Sequence, residues 1–394
     1  MTAQTMQRLL YIITIVFGLF PSQNKGYAQD DSSESQIQRA LLDESPWAST
    51  RASAMAGAIS PIANGLDASH YNPAGIGGIT DEGKRPGIHR LYFPYFSAAV
   101  NEDTVSLNDE LTKAGDLTDP NIASQILRAY QDKRQYGRFS IVPSITFWRT
   151  QLSYVYDTQM AAAATDSTTD LVDIHARTVT GPSIGFSFAT DSKDFTLGIY
   201  SGFFQRTETK GTYTLAEVND PDARSSIFSA DETKYDGMPI NFGINWVIAK
   251  KWRPSLALVF RNAGGTKYRN SDSSAEDMVV DEDMTLGFSI SPKLGKWGYL
   301  SWVVEAGNLT NSEMATSKKA KTSLEFTIGD RFGGNAGLSL RTGYNNAGLS
   351  YGLGSNLGIL GLNASSFAED VGYNNRRVIE RRFVVNFAVN IADF

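Results

Sequence analysis

The stretch Met238–Ile248 reads MPINFGINWVI and alternates between two kinds of side chain. Its even-numbered positions are all large and apolar: Met238, Ile240, Phe242, Ile244, Trp246 and Ile248. Its odd-numbered positions are mostly small or polar: Pro239, Asn241, Gly243, Asn245 and Val247. Successive side chains of a β-strand point to opposite faces, so this pattern predicts a strand with one apolar face and one polar face.

The same alternation recurs from about residue 138 to the end of the chain, for example over residues 284–290, 300–306 and 324–328. Two structures can bury such faces. A soluble sandwich packs them against a second sheet, whereas a transmembrane barrel turns them towards lipid. The polar faces are rich in Gly, Ser, Thr and Asn and poor in Lys and Glu, which favours a crowded barrel lumen over a solvated sheet.

The connections between the predicted strands alternate in length, as periplasmic turns and extracellular loops do in outer-membrane barrels. Short links such as 149–151 and 249–253 follow long ones such as 101–137 and 208–237, and the link 345–347 is a short exception among the long ones. The sequence predicts fourteen strands, over residues 88–100, 138–148, 152–160, 172–189, 195–206, 238–248, 255–263, 283–291, 299–307, 321–329, 336–344, 348–354, 358–366 and 380–392. The fold class is therefore an all-β, 14-stranded antiparallel outer-membrane barrel.

Composition excludes several other classes of protein. The 394 residues carry 36 Lys and Arg against 42 Asp and Glu, with no Cys and three His. Without cysteine there is no disulfide scaffold, thiolate metal site or Cys nucleophile. An acidic chain without basic clusters argues against a nucleic-acid partner. No metal site and no cofactor are expected.

The chain divides into three predicted parts. Residues 1–28 read as a signal peptide, with Arg8 before the apolar run 9–20 and small residues at Gly26 and Ala28; an uncleaved anchor helix is the alternative. Residues 29–86 form an N-terminal plug, and residues 87–394 form the barrel with its loops. The loop 101–137 contains a predicted amphipathic helix over 119–134. The chain ends in Phe394, as many outer-membrane barrels do, although Phe394 is out of phase with the apolar face of the last strand.

The segment Trp47–Gly78 has no strand alternation and is packed with Ala, Gly and Ser. It contains RASAMAGA at 51–58, NGLDA at 64–68 and YNPAG at 71–75. These three pieces resemble the N-terminal signature of the FadL/TodX superfamily of outer-membrane transporters. In that family the region is a hatch that plugs a 14-stranded barrel, so the resemblance implies a plug carried by Arg51, Met55, Gly57, Asp67, Asn72, Pro73, Ala74 and Gly75.

The resemblance implies passive uptake of hydrophobic small molecules, such as long-chain fatty acids, across the outer membrane of a Gram-negative-type bacterium. Outer-membrane lipid and a hydrophobic ligand are the implied partners. The chain departs from the family in having the single acidic residue Asp67 in its second piece. The run 338–354 also resembles barrels of the PorV type, which share the fold and assist secretion. A secretion or assembly barrel that binds a protein partner at its extracellular loops therefore stays as the alternative.

Four charged residues fall on the predicted inward faces: Arg261, Glu305, Glu325 and Arg341. They either pair with one another and fasten the plug to the wall, or contact the substrate. An enzyme is the third possibility, because His175 follows Asp173 on one strand face and Asp157 lies on a neighbouring strand. A solvated histidine near a loop explains His175 more simply, and no catalytic residue is predicted.

Overall fold

The structure is a computed structural model. It describes residues 44–76, 90–114, 133–166, 171–190, 194–214, 228–271, 276–295, 298–312, 316–329, 336–372 and 377–392, together with isolated residues in the connecting loops. The predicted signal peptide, Gly77, Gly78 and Phe394 lie outside the described residues. The predictions made for them remain predictions.

Fourteen barrel strands follow one another in chain order, several of them interrupted. They are β1 Arg90–Asn101, β2 Arg134–Ile141 with Ser144–Phe147, β3 Thr150–Asp166, β4 Leu171–Ala189, β5 Phe195–Gly202 with Phe204–Thr214, β6 Glu232–Gly237 with Ile240–Val247, β7 Ser255–Arg261 with Thr266–Asn270, β8 Met278–Val280 with Asp283–Ile290 and Lys293–Leu294, β9 Gly298–Ala306, β10 Ala320–Gly329, β11 Ala336–Asn345, β12 Gly348–Leu357, β13 Leu360–Asp370 and β14 Ile379–Ala392.

Each strand pairs antiparallel with its neighbours in sequence, and the sheet closes on itself. The closing pair is β1 with β14, in a register that runs from Arg90 opposite Ala392 to Asn101 opposite Arg382. Closure leaves no strand edge unpaired, which is the condition for a sheet that crosses hydrocarbon. The predicted barrel of 14 strands is confirmed.

The two faces of the wall are those that the alternation predicted. In β6, Phe242 and Trp246 are 43% and 48% exposed on the outside, whereas Asn241 and Asn245 are buried in the lumen. The last strand behaves in the same way, because Phe387 faces outward while Asn386 and Ala388 are buried. Large apolar side chains therefore form the outer surface and small polar ones the inner surface.

Strands β3, β5, β6 and β7 run further towards the long loops than the sequence analysis predicted. The predicted loops 161–170, 208–237 and 264–281 were drawn too long, because β3 continues to Asp166, β5 to Thr214, and β6 already starts at Glu232. The extensions of β5 and β6 carry Thr, Lys and Glu, and that of β3 begins with four alanines, so hydrophobic alternation gives no signal there. Their outer face packs against the following loop through Val172, Ile174, Tyr213 and Phe228.

Among the described residues, short helices lie in the lumen and in two of the loops. Inside the barrel lie α1 (Thr50–Ala54), α2 (Leu66–Tyr71) and the 3₁₀ turns Ser60–Ile62 and Pro73–Gly75; the loops carry α3 (Glu102–Ala114) and α4 (Thr316–Lys319). Asn101 caps α3 by accepting from the backbone N–H of Thr104 at 2.9 Å. The helix predicted over 119–134 lies mostly outside the described residues, and its predicted end was wrong because Arg134 starts β2.

None of the helices among the described residues is both long enough and apolar enough to span a bilayer.

The buried core lies inside the barrel and joins plug to wall. Trp47 and Leu66 of the plug pack with Tyr95, Val155 and Tyr200 of the wall. A second cluster is almost entirely plug: Ala52, Met55, Ala58, Ile59, Ile62, Ala63 and Val303. The described segment 44–76 therefore packs inside the barrel, and the plug predicted over 29–86 stays a prediction for the rest of that range.

Candidate functional site

The plug backbone rests on glycines of the barrel wall. A Cβ added to Gly198 of β5 would lie 2.1 Å from the carbonyl carbon of Pro73, and one added to Gly243 of β6 would lie 2.1 Å from Asn72 Oδ1. On the opposite side, a Cβ at Gly343 of β11 would lie 2.3 Å from the carbonyl carbon of Met55. Glycine is needed at these wall positions because another backbone approaches them closely. The plug thus packs directly against the small residues on the inner face of the wall.

The Asn72–Gly75 turn is wedged between this wall and the rest of the plug. Asn72 Oδ1 accepts from the backbone N–H of Ala74 at 3.1 Å, and Asn72 Nδ2 donates to the carbonyl oxygen of Ser60 at 3.0 Å. A Cβ at Gly75 would lie 2.0 Å from the Ala63 carbonyl oxygen. Pro73 starts the 3₁₀ turn at the position where its missing N–H costs nothing. Every residue of this turn thus has a packing role.

Arg51 connects the plug to two strands of the wall. Its Nε and Nη2 atoms donate to the two carboxylate oxygens of Glu325 on β10, at 2.9 and 2.7 Å. Glu325 also accepts from Arg341 Nε on β11 at 2.8 Å. Arg51 Nη1 donates to Asn64 Oδ1 of the plug itself at 3.0 Å. The bidentate contact is the strongest geometry available to a guanidinium and a carboxylate, so this triad fastens the plug.

The other predicted lumen charges divide between plug and wall. Glu305 of β9 accepts from the backbone N–H of Ser60 at 3.0 Å and so also holds the plug. Arg261 of β7 donates through Nε to Asp283 of β8 at 2.9 Å and so links two neighbouring strands of the wall. Glu305 and Glu325 thus contact the plug, whereas Arg261 pairs within the wall.

The remaining predicted plug residues shape the plug itself. Asp67 accepts from the Ser49 hydroxyl at 2.7 Å, and Ser49 in turn caps α1. Met55 is fully buried at the end of α1. Gly57 has a φ of +80°, a left-handed conformation that lets the chain turn after α1.

A charged cluster that the sequence analysis missed anchors the start of the plug. The carboxylate of Glu44 accepts from Arg177 Nη1 at 2.7 Å and from Arg206 Nη1 at 2.8 Å. Arg206 also donates through Nε to Glu208 at 2.6 Å, and Glu208 lies 3.6 Å from His175 Nε2. Alternation could have placed both arginines on the inward faces of β4 and β5. Their partner comes from the plug, however, and only the folded chain reveals it.

Two small cavities flank the plug. One, of about 50 Å³, lies on the side of the long loops and is lined by Val179, Tyr200, Phe204 and Tyr268 together with Arg177 and Arg206. The other, of about 150 Å³, lies on the opposite side of the plug, towards the end of the barrel where β1 begins and β14 ends. It is polar, with Arg51, Asp67, Asn64, Asn356, Asn363 and Asn390 among its lining residues. The described residues therefore leave one pocket with aromatic and charged lining on the loop side of the plug and one amide-lined pocket on the other side.

The residues considered for catalysis do not form a catalytic group. Asp157 bonds Arg138 and Ser140 and lies opposite Val179, four residues along β4 from His175. The pentapeptide GLSYG at 348–352 has the spacing of a hydrolase nucleophile elbow, but it lies within β12 and its Ser350 is buried. An elbow requires a strand-to-helix turn, which this strand does not make. Among the described residues no cluster of His, Asp and Glu is suited to a metal ion.

Solved structures of outer-membrane proteins are similar to this chain in fold. The P. putida toluene transporter TodX matches 88% of this chain over 98% of its own, with 9% identity and a TM-score of 0.50. The CymD monoaromatic hydrocarbon channel matches 87% over 97% of its own, with 8% identity and a TM-score of 0.46. CdiB from Acinetobacter baumannii matches 76% over 60% of its own, with 10% identity and a TM-score of 0.34. No protein-family model and no curated protein sequence matches the chain. The likeness to TodX shows the fold, and the chain is a closed 14-stranded antiparallel β-barrel.

Proposed function

We propose that the chain is an outer-membrane channel for passive uptake of hydrophobic small molecules. The observation that carries this proposal is a small pocket beside the plug, in which the rings of Tyr200, Phe204 and Tyr268 lie next to the charged side chains of Arg177 and Arg206. TodX, which shares the fold, is a toluene transporter. Apolar and aromatic lining with a few polar groups is typical of sites for small hydrophobic ligands.

Passage requires the plug to shift. The pocket above the plug holds about 50 Å³, which is less than a small aromatic ring occupies. The cargo would enter as the Glu44 anchor and the turn at Pro73 move away from the wall. Movement down a concentration gradient needs no cofactor and no bond chemistry, and we propose no enzymatic activity. Long-chain fatty acids are a second cargo class within the same proposal, because Arg177 and Arg206 can hold a carboxylate beside the aromatic rings.

Uptake of radiolabelled toluene and of radiolabelled oleate by cells that make the protein tests the proposal. Wild-type protein is expected to raise the rate of uptake at least tenfold over cells carrying an empty vector. Val179→Lys puts a charge among the aromatic rings and is expected to abolish this gain, whereas Val179→Leu keeps it. Equal uptake with and without the protein, for both compounds, would refute the channel.

One observation favours a second candidate function, a secretion or assembly barrel. The pocket above the plug is small, and the plug is fastened to the wall by ion pairs at Glu44 and Arg51 and by the hydrogen bond from the Ser60 N–H to Glu305. A barrel that never opens has no need of a passage and can serve as a platform whose loops bind a protein. Photo-crosslinking from α3 in living cells separates the two candidates: a specific protein adduct together with absent uptake supports the platform.

A further inference from the structure

The outer wall carries a groove that the channel does not use. On β13 the outward side chains change from large to small towards the long loops, from Leu360 and Leu362 to Ala364, Ser366 and Ala368. Ser366 and Ala368 are only 2% and 1% exposed, because larger neighbours rise on both sides of them. The floor of the groove is therefore one strand wide.

The neighbouring strands supply the sides of the groove. Tyr351 and Leu353 of β12 stand on one side, 44% and 50% exposed. Val385 and Phe387 of β14 stand on the other. An upper recess of about 290 Å³, which Leu340 of β11 also lines, and a lower recess of about 520 Å³ share Leu353 and Ala364, so they adjoin one another at these two residues. A long, narrow and apolar recess of this kind fits an extended hydrocarbon chain.

Arg381 closes the groove at the end of the long loops. It belongs to β14 and lies opposite Ala368, yet its Nη1 donates to the carbonyl oxygen of Leu349 on β12 at 2.7 Å. Its guanidinium carbon lies 5.7 Å from the ring centre of Tyr351. The side chain thus crosses over β13, which explains why Ala368 has to be small. A guanidinium has five N–H donors in a planar fork, so it can hold an anion in addition to Leu349.

A second basic residue lies on the same rim. Arg377 is exposed just before β14 and donates to the carbonyl oxygen of Ala347 in the turn between β11 and β12, at 3.2 Å. Positive charge thus sits at the loop end of the groove and apolar side chains line the rest. In an outer-membrane barrel the loop end is the extracellular leaflet. The charge and the apolar recess together match a lipid with an anionic head group.

We propose that this groove is a binding site for a phosphorylated lipid of the outer leaflet, with one acyl chain along β13 and the phosphate on Arg381. The inference rests on the proposed location in the outer membrane. It does not depend on transport, because the groove lies on the lipid side of the wall and the proposed passage lies in the lumen.

The test measures lipid retained by the purified, folded barrel in mild detergent, using bisphosphorylated lipid A and phosphatidylethanolamine as probes and mass spectrometry as readout. We expect lipid A to be retained in preference to phosphatidylethanolamine. Arg381→Ala should lower the affinity for lipid A about tenfold, the loss expected for one charge-assisted contact. Arg381→Lys, which keeps the charge but not the fork, should restore part of it.

Ala364→Trp fills the groove and should prevent retention of both lipids. The matched controls are Leu256→Trp on the outer face of β7, and Lys293→Ala, whose Nζ lies 5.7 Å from the ring centre of Tyr299 at the opposite rim. Both controls should retain lipid A like the wild type. Equal retention of the two lipids, or wild-type retention by Arg381→Ala or by Ala364→Trp, overturns the proposal. Toluene uptake measured on the same variants should be unchanged, so a failure of transport is read separately from a failure of lipid binding.

Discussion

Arg51 is the plug residue with the most polar contacts to the wall and to its own segment. Its contacts to Glu325 and Asn64 use three of its nitrogen atoms. Glu325 is almost fully buried and is shared with Arg341. Removal of one member of a buried ion pair typically costs about 3–5 kcal/mol, because the partner is left with an uncompensated charge.

Arg51→Met is expected to weaken the attachment of the plug to the wall by a free energy in that range. The pairing of the barrel strands should stay intact. Glu325→Gln should have a comparable effect, since it leaves two arginines facing each other. The double variant should be less destabilised than the sum of the single ones, because neither Arg51 nor Glu325 is then left as an unpaired charge and only Arg341 loses its partner. Ion conductance of the protein in planar bilayers measures plug loosening, and the Tm in detergent measures barrel stability. Additive effects on conductance would mean that the pair does not hold the plug.

At the scale of elements, the fit between plug and wall depends on strand backbone as much as on side chains. A Cβ on Gly198 would collide with the backbone of Pro73 and Ala74, at 2.1 and 2.2 Å. Backbone atoms cannot step aside as the end of a flexible side chain can. Gly137 of β2 is a matched position on the wall, since a Cβ there meets nothing within 4 Å.

Gly198→Ala is therefore expected to unseat the turn at Pro73 and to raise conductance several-fold, while Gly137→Ala leaves conductance unchanged. Both variants should remain heat-modifiable on denaturing gels, which reports a folded barrel. Wild-type conductance of Gly198→Ala would show that the plug is seated elsewhere.

Helix α3 contains a carboxylate whose titration falls in the physiological range. Burial against the barrel rim raises the pKa of Asp103 to about 6; Lys133 opposes the shift, and Glu380 and Glu102 add to it. The folded pKa lies above the ordinary value for Asp, so the folded loop binds the proton more tightly than the unfolded loop. Ionised Asp103 therefore lowers the stability of the folded loop, fully above about pH 6 and not at all below about pH 4.

Asp103→Asn is expected to stabilise α3 at pH 7.5, by an amount on the order of 1 kcal/mol after allowance for solvent screening. At pH 4 the variant and the wild type should be equally stable. Hydrogen exchange of the α3 amides, corrected for the intrinsic rate at each pH, provides the measurement. Asp109→Asn, on the exposed side of the same helix, is the matched substitution for comparison. If Asp103→Asn still stabilised α3 at pH 4, ionisation of Asp103 would not be the cause of the difference in stability.

At the scale of the whole molecule, sequence alternation predicted the strand count and the outward faces because lipid and lumen impose opposite demands on neighbouring residues. It gave no signal for the loop-side extensions of β5 and β6, whose residues, such as Thr209 and Lys234, have polar groups on both faces. The plug residues were identified by resemblance, and their contacts were not predictable. The link between Glu44 and Arg177 joins residues 133 apart in sequence, and no local pattern encodes such a distance.

The outward apolar surface makes a prediction that separates lipid contact from burial in protein. Trp302 of β9 is 43% exposed on the outer face near the middle of its strand, whereas Trp47 of the plug is 1% exposed inside the lumen. Both are apolar environments, so the emission wavelength alone does not distinguish them. Bromine atoms on lipid acyl chains quench only those indoles that the chains can touch.

Single-tryptophan variants reconstituted in vesicles of brominated phosphatidylcholine provide the measurement. Trp302 is expected to be quenched strongly by bromines placed deep in the acyl chains, and Trp47 is expected to keep its emission, because the wall of β-strands separates it from lipid. Phe387→Trp in the same background should behave like Trp302, since Phe387 also faces outward. Quenching of Trp47 to the level of Trp302 would mean that hydrocarbon reaches the lumen, which a closed sheet of 14 paired strands does not allow.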